Sequence, residues 1–269
     1  MEINKIYNEN CIDTMQRMPD DFIDLTVTSP PYDNLRNYNG YKFDFESIAK
    51  ELYRTTKEGG VVVWIVADAT IKGSETGTSF RQALYFMECG FNLHDTMIYL
   101  KNNYMPLNDK RYEQAFEYMF IFSKGKPNRF NPIKILKKNT RTSKTWNRNA
   151  DGTHRINISK SKKQNKKVIS NVWKYNIGNL HTTSDKIAFQ HPAIFPEKLA
   201  NDHIISWSNK GDLVYDCFTG SGTTWKMCLR NDRNFIGSEI SEEYMKIATQ
   251  RIEETKKIIA LEKTQLKLF

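Results

Sequence analysis

The most readable parts of this chain are short continuous apolar runs, each bounded by turn residues and followed by a segment with helical spacing. FIDLTVTS, Phe22 to Ser29, is one such run, and it stops at Pro30 and Pro31, which cannot extend a sheet ladder. FDFESIAKELYRTT then predicts a helix, closed by Gly59 and Gly60. VVVWIVAD reads as a second strand buried on both faces. A helix is expected around Ser79 to Cys89, followed by an apolar stretch from His94 to Leu100 and a strand over Ala115 to Lys124. After about residue 190 the alternation resumes. It gives a helix over Pro196 to Trp207, the strand DLVYDCF, the turn TGSG and a helix from Thr223. The strand NFIGSEI and a long helix opening SEEYMKIATQRI complete the pattern. Strands alternating with helices on both sides of an irregular stretch predict an α/β fold, one doubly wound, Rossmann-like sheet carrying an insertion.

Composition changes at that interruption. From Lys126 to Lys167 there are fourteen Lys and Arg residues against one acid, Asp151, in a stretch rich in Asn, Ser and Thr. The chain as a whole carries a formal charge of +9, so the excess is concentrated on the insertion and points to a polyanionic partner. The expected division is a body of residues 1–125 and 190–269 with an insertion of 126–189. The four cysteines are widely spaced with no C-x-x-C pair, which argues against a structural metal or a disulfide framework and fits a reducing cytoplasm. The N-terminal MEINKIYNENC lacks the apolar core of a signal peptide, and no apolar run reaches the length of a membrane span. The expectation is a cytoplasmic protein with no membrane partner.

Two stretches carry candidate chemistry. In DCFTGSGTT, Asp216 to Thr224, the glycines allow a tight turn and close backbone approach to a ligand, and the helix that follows adds unpaired N–H groups. The spacing and lysine of a phosphate-binding P-loop are absent. Glu239, at the end of the next strand, can accept both hydroxyls of a ribose. The second stretch is Thr28-Ser29-Pro30-Pro31-Tyr32, directly after a buried strand, where open α/β sheets bind their ligands. Ser29 offers a hydroxyl, Pro30 an aimed carbonyl and Tyr32 a flat ring, a set suited to a planar heterocycle bearing an exocyclic amine.

Together, S-PPY and D-x-F-x-G-S-G-T resemble the amino-group DNA methyltransferases, which use S-adenosylmethionine to methylate cytosine N4 or adenine N6. The order of PPY motif, insertion and glycine loop is similar to their β group, with the same domain reached by a permuted chain order. The resemblance covers nearly the whole chain, including NENCIDTMQRMPDDFIDLTVTSPPY, HPAIFPEKL (His191 to Leu199) and NFIGSEISEEY. It implies that Asp216, Phe218, Gly220, Gly222 and Thr223 bind the methionine end of the cofactor, with Phe195 and Pro196 beside them. Glu239 is implied on the ribose and Asn10 at the adenine amine. Catalysis is implied at Ser29, Pro30, Pro31 and Tyr32. Cys217 stands where the family has proline, and Asn10 where it commonly has aspartate.

In this family serine before PPY goes mostly with cytosine N4, so N4-cytosine is the expected target and adenine N6 the alternative. The target base must flip out of the duplex to reach such a cleft. The resemblance implies double-stranded DNA as partner, read by the insertion, and brings with it a cognate restriction endonuclease and a homodimer. No metal is expected. The reading from another class is a DNA-binding protein that has lost catalysis.

Overall fold

A computed structural model describes residues 1–31, 43–104, 106, 110–137, 145–157 and 165–266. Two compact units emerge, a body of Met1–Asn131 with Asn171–Phe269 and an inserted unit of Pro132–Ser170.

The body is built on an eight-stranded mixed sheet. Along the chain its elements are β1 (Lys5–Tyr7), α1 (Cys11–Gln16), β2 (Ile23–Thr28), α2 (Phe45–Thr55), β3 (Thr56–Val66), α3 (Thr78–Glu88) and β4 (Asn92–Lys101). They continue with β5 (Phe116–Ser123), β6 (Val172–Tyr175), α4 (Glu197–Trp207), β7 (Leu213–Asp216), α5 (Thr223–Arg230), β8 (Asn234–Ser238) and α6 (Glu242–Leu266). Across the sheet the order is β1-β8-β7-β2-β3-β5-β4-β6. All neighbours run parallel except β5, which is antiparallel to both β3 and β4. β2 is buried at every position, its polar residues included: Asp24 pairs with Lys57 and the Thr28 hydroxyl is hydrogen-bonded. α2 is amphipathic. Asp44 caps it through the Ser47 N–H, and Ile48, Ala49 and Leu52 face the core. That core is aromatic: Trp64, Phe86, Phe122 and Tyr215 are fully buried within it, and Phe86 stacks on Phe122 at 4.5 Å.

Two expectations are corrected. Gly59 and Gly60 do not cap α2, which ends at Thr55, one residue before the chain enters β3. The Gly59 N–H donates to the Lys124 carbonyl and the Lys124 N–H to that of Gly60, so both glycines belong to the sheet ladder. Gly59 lies at φ +76°, and a Cβ there would fall 2.1 Å from the Asn128 side chain. The insertion is also narrower than 126–189. Val172–Tyr175 pairs in parallel with β4, Val172 opposite Ile98 and Tyr175 opposite Lys101, so residues 171–189 belong to the body.

The body fixes both points where the insertion joins it. Asn131 donates from its side chain to the carbonyls of Ile205 and Ser208, and its N–H donates to Ser206 O. Asn171 accepts from the Ile98 N–H and donates to Asp95 and Thr96. The inserted unit itself contains two antiparallel strand pairs, Lys134–Leu136 with Lys166–Val168 and the hairpin Thr145–Arg148 with His154–Asn157. Residues 132–170 carry twelve Lys and Arg and a single acid.

Candidate active site

β7 pairs in parallel with β2, so the turn between Asp216 and Thr223 meets the Thr28-Ser29-Pro30 strand end at the carboxyl edge of the sheet. A buried hydrogen bond joins the two motifs, the Thr28 hydroxyl donating to Asp216 Oδ1 at 2.7 Å. The same oxygen accepts from the Phe218 N–H at 3.1 Å, which sets the first bend of the turn. Burial pushes the Asp216 carboxyl up to about 6 against these hydrogen bonds.

A stability signature follows from that shift. The unfolded chain titrates near the ordinary 3.8 and the folded one near 6, so between these values the folded state holds more protons. Stability therefore falls as pH rises through this window, by about 3 kcal/mol, and levels off above it. Asp216→Asn is expected to lack this fall. Urea denaturation at pH 4 and pH 7 measures it, and equal drops in the two proteins would refute the assignment.

The turn is held from its other side by Glu239 at the end of β8. Glu239 Oε2 accepts from the Gly220 N–H and Oε1 from the Ser241 N–H, both at 2.8 Å, while burial raises its pKa. Gly220 sits at φ +51°, with His191 Nε2 only 3.0 Å from where a Cβ would be. Gly222, at φ +80°, instead packs on Ala248 of α6.

A cavity of about 540 Å³ opens over these groups, within the range typical of small-molecule sites. Its lining includes Asn10, Phe195, Phe218, Gly220, Thr223 and Glu239 together with Ser29, Pro30 and Pro31. Three expected residues do not line it. Asp216 lies beneath the turn, Gly222 faces α6, and Pro196 is the extended N-cap of α4. Asn10 Oδ1 caps α1 by accepting from the Ile12 N–H at 3.0 Å. Tyr32 lies outside the described residues.

The lining carries Glu9, Asp68, Glu117 and Glu239 against Lys101, its one Lys or Arg among the described residues. In a chain of net charge +9, this negative pocket matches a ligand bearing a sulfonium and an ammonium against one carboxylate. Glu239, a carboxylate at a strand end, fits the ribose of S-adenosylmethionine.

The sequence reading missed two supporting groups. Arg251 of α6 is fully buried directly behind the turn. It donates to Ser221 O at 2.6 Å, Asp185 at 3.0 Å and Glu197 at 2.8 Å, while Lys226 bonds the same two carboxylates at 2.8 and 2.7 Å. Its signal was its phase, since it falls among the buried Ile247, Ala248, Ile252 and Thr255 of the helix. The second group is the cavity wall formed by the end of β4 and the start of β5, with Tyr99, Lys101, Gln114, Phe116 and Glu117. Asp68, also lining the cavity, accepts from the Ser79 N–H at 2.9 Å and so anchors the first turn of α3.

A mostly parallel sheet thus brings a glycine turn, an acidic strand end and a Ser-Pro-Pro strand end around one cavity. The DNA methylase family model of N6/N4 methyltransferases matches residues 23–250. The orphan methyltransferase M.BamHII of Bacillus amyloliquefaciens is 59% identical over 238 residues, 86% of this chain and 88% of that protein. Among solved structures, the cytosine-N4-specific PvuII DNA methyltransferase superposes with a TM-score of 0.69 at 21% identity, covering 96% of this chain and 92% of that one. The M1.HpyAVI complex with S-adenosylmethionine gives 0.58 at 24% identity, covering 92% and 98%. The chain belongs to the DNA methylase family and is an S-adenosylmethionine-dependent DNA amino-methyltransferase.

Proposed function

We propose that this enzyme methylates the N4 amine of a cytosine flipped out of duplex DNA at a specific sequence. The observation that carries this reading is the single cavity lined by both the glycine turn and Ser29-Pro30-Pro31. Bound S-adenosylmethionine supplies an electrophilic methyl group. Asn10, Phe195, Phe218, Gly220, Thr223 and Glu239 hold the cofactor, while Asp216, Pro196 and Gly222 shape the turn and helix around it. Ser29 Oγ and the Pro30 carbonyl accept the two amine hydrogens. Those bonds draw the nitrogen toward tetrahedral geometry and free its lone pair for in-line attack. Tyr32 stacks on the extruded base. The choice of cytosine rests on serine at position 29.

The basic inserted unit reads the duplex, its Lys and Arg neutralising phosphates. The 59% identical relative is described as an orphan, which favours an enzyme acting without a dedicated endonuclease.

The test is to methylate mixed-sequence DNA with the purified protein and labelled cofactor, digest to nucleosides and analyse by mass spectrometry. N4-methylcytosine supports the proposal. N6-methyladenine would keep the chemistry and overturn the base assignment, and no methylated nucleoside would overturn the DNA reading.

A further inference from the structure

The wall of the cavity facing Ser29 is unexplained by cofactor binding. β2, β3, β5 and β4 are consecutive in the sheet, so the ends of β2, β3 and β4 and the start of β5 share one edge. At about 4.8 Å per strand, β4 lies roughly 14 Å from β2. Ser29 follows β2, Ala67 and Asp68 follow β3, Phe116 and Glu117 open β5, and Lys101 ends β4; all of them line the cavity. A short serine on one side and a long lysine on the other leave room for one base above β3.

Lys101 is held where it can act. Its Nζ lies 2.5 Å from Glu117 Oε1 and 5.8 Å from the centre of the Tyr99 ring, and both members of the ion pair are largely buried, at 23% and 13% exposure. An ammonium has three donors, and Glu117 engages one of them. In cytosine the ring atom beside the amine, N3, is an acceptor with no hydrogen. Once the amine hydrogens are bound by Ser29 and Pro30, that nitrogen needs a donor when the base leaves its pairing partner.

We propose that Lys101, fixed by Glu117, donates a hydrogen bond to the ring nitrogen adjacent to the target amine and so recognises the Watson–Crick edge of the flipped base. This rests on the DNA reading above. The contact orients the amine toward the cofactor and rejects thymine, whose N3 carries a hydrogen and would meet the ammonium donor to donor. Gln114, on the same wall, is the competing donor.

The experiment uses duplex oligonucleotides bearing the mapped site with either cytosine or 3-deazacytosine, which replaces N3 by C–H. If the mapped base is adenine, 1-deazaadenine serves the same purpose. Single-turnover methylation is measured for the wild type, Lys101→Met, Lys101→Arg and Gln114→Ala. Lys101→Met should slow the natural substrate about 10- to 100-fold, the deaza base should slow the wild type similarly, and the two losses should not multiply. Lys101→Arg should recover part of the rate, and calorimetric affinity for S-adenosylmethionine should stay unchanged in all variants. Multiplying losses, an unaffected Lys101→Met, cofactor affinity falling in step with rate, or non-multiplying losses for Gln114→Ala instead would each overturn the assignment. A wild type that methylates no DNA would overturn the reading beneath it, which the nucleoside analysis reveals separately.

Discussion

Arg251→Met lowers folding stability by about 3–5 kcal/mol and weakens S-adenosylmethionine binding, because it removes one member of a buried charge cluster and leaves the others in place. Burial alone would raise the Asp185 carboxyl, yet hydrogen bonds from Lys226 and Arg251 hold it below its ordinary value. With Arg251 gone, Asp185 and Glu197 share Lys226 alone, and Ser221 O loses a donor on the back of the turn. The turn then keeps its bonds to Glu239 and Asp216 and its packing on Ala248 but has no hydrogen bond from α6. Arg251→Lys keeps the charge but not the planar fork that reaches both carboxylates and the carbonyl, so it should fall between the two. Urea denaturation and calorimetric titration with the cofactor measure the two effects. A methionine variant within 1 kcal/mol of wild type would show that the cluster does not brace the turn.

Ser29→Ala behaves in the opposite way. Its fold and cofactor affinity should be unchanged while the rate of methyl transfer falls by about two orders of magnitude, the usual cost of deleting one group aimed at developing charge. The reason is its place: Ser29 lines the cavity at the end of β2, whereas the hydrogen bonds that hold the glycine turn come from Thr28, Glu239 and Arg251. Rapid-quench single-turnover assays at saturating cofactor separate the step. A variant losing cofactor affinity in proportion to rate would move Ser29 into the cofactor site.

Much of this architecture was legible in the chain because the central strands are buried on both faces. FIDLTVTS and VVVWIVAD can be little else, and the helices ending at Trp207 and running through α6 announce themselves by spacing. β6 was hidden because four residues in a lysine- and asparagine-rich stretch offer only Trp173 and Tyr175 as buried positions. Gly59 and Gly60 misled because a glycine after a helix usually caps it, whereas here they allow a close strand approach. In the site, the motif positions lie together at the carboxyl edge of the sheet, but a motif does not say which of its residues face the cavity. Asp216 and Gly222 turned out to support the turn from beneath and behind. Lys101 and Glu117 were invisible for a different reason: each acts through a partner on a neighbouring strand, a relation that spacing does not encode.

The two asparagines at the joints of the insertion have an evolutionary consequence. Asn131 and Asn171 are pinned entirely by groups of the body, to the end of α4 on one side and to β4 on the other. None of those bonds depends on what lies between them. The segment from 132 to 170 can therefore be exchanged, lengthened or rewritten as a cassette while the sheet and its cavity stay in register. A change confined to that piece of chain leaves the bonds that hold both joints, and the groups that line the cavity, where they are.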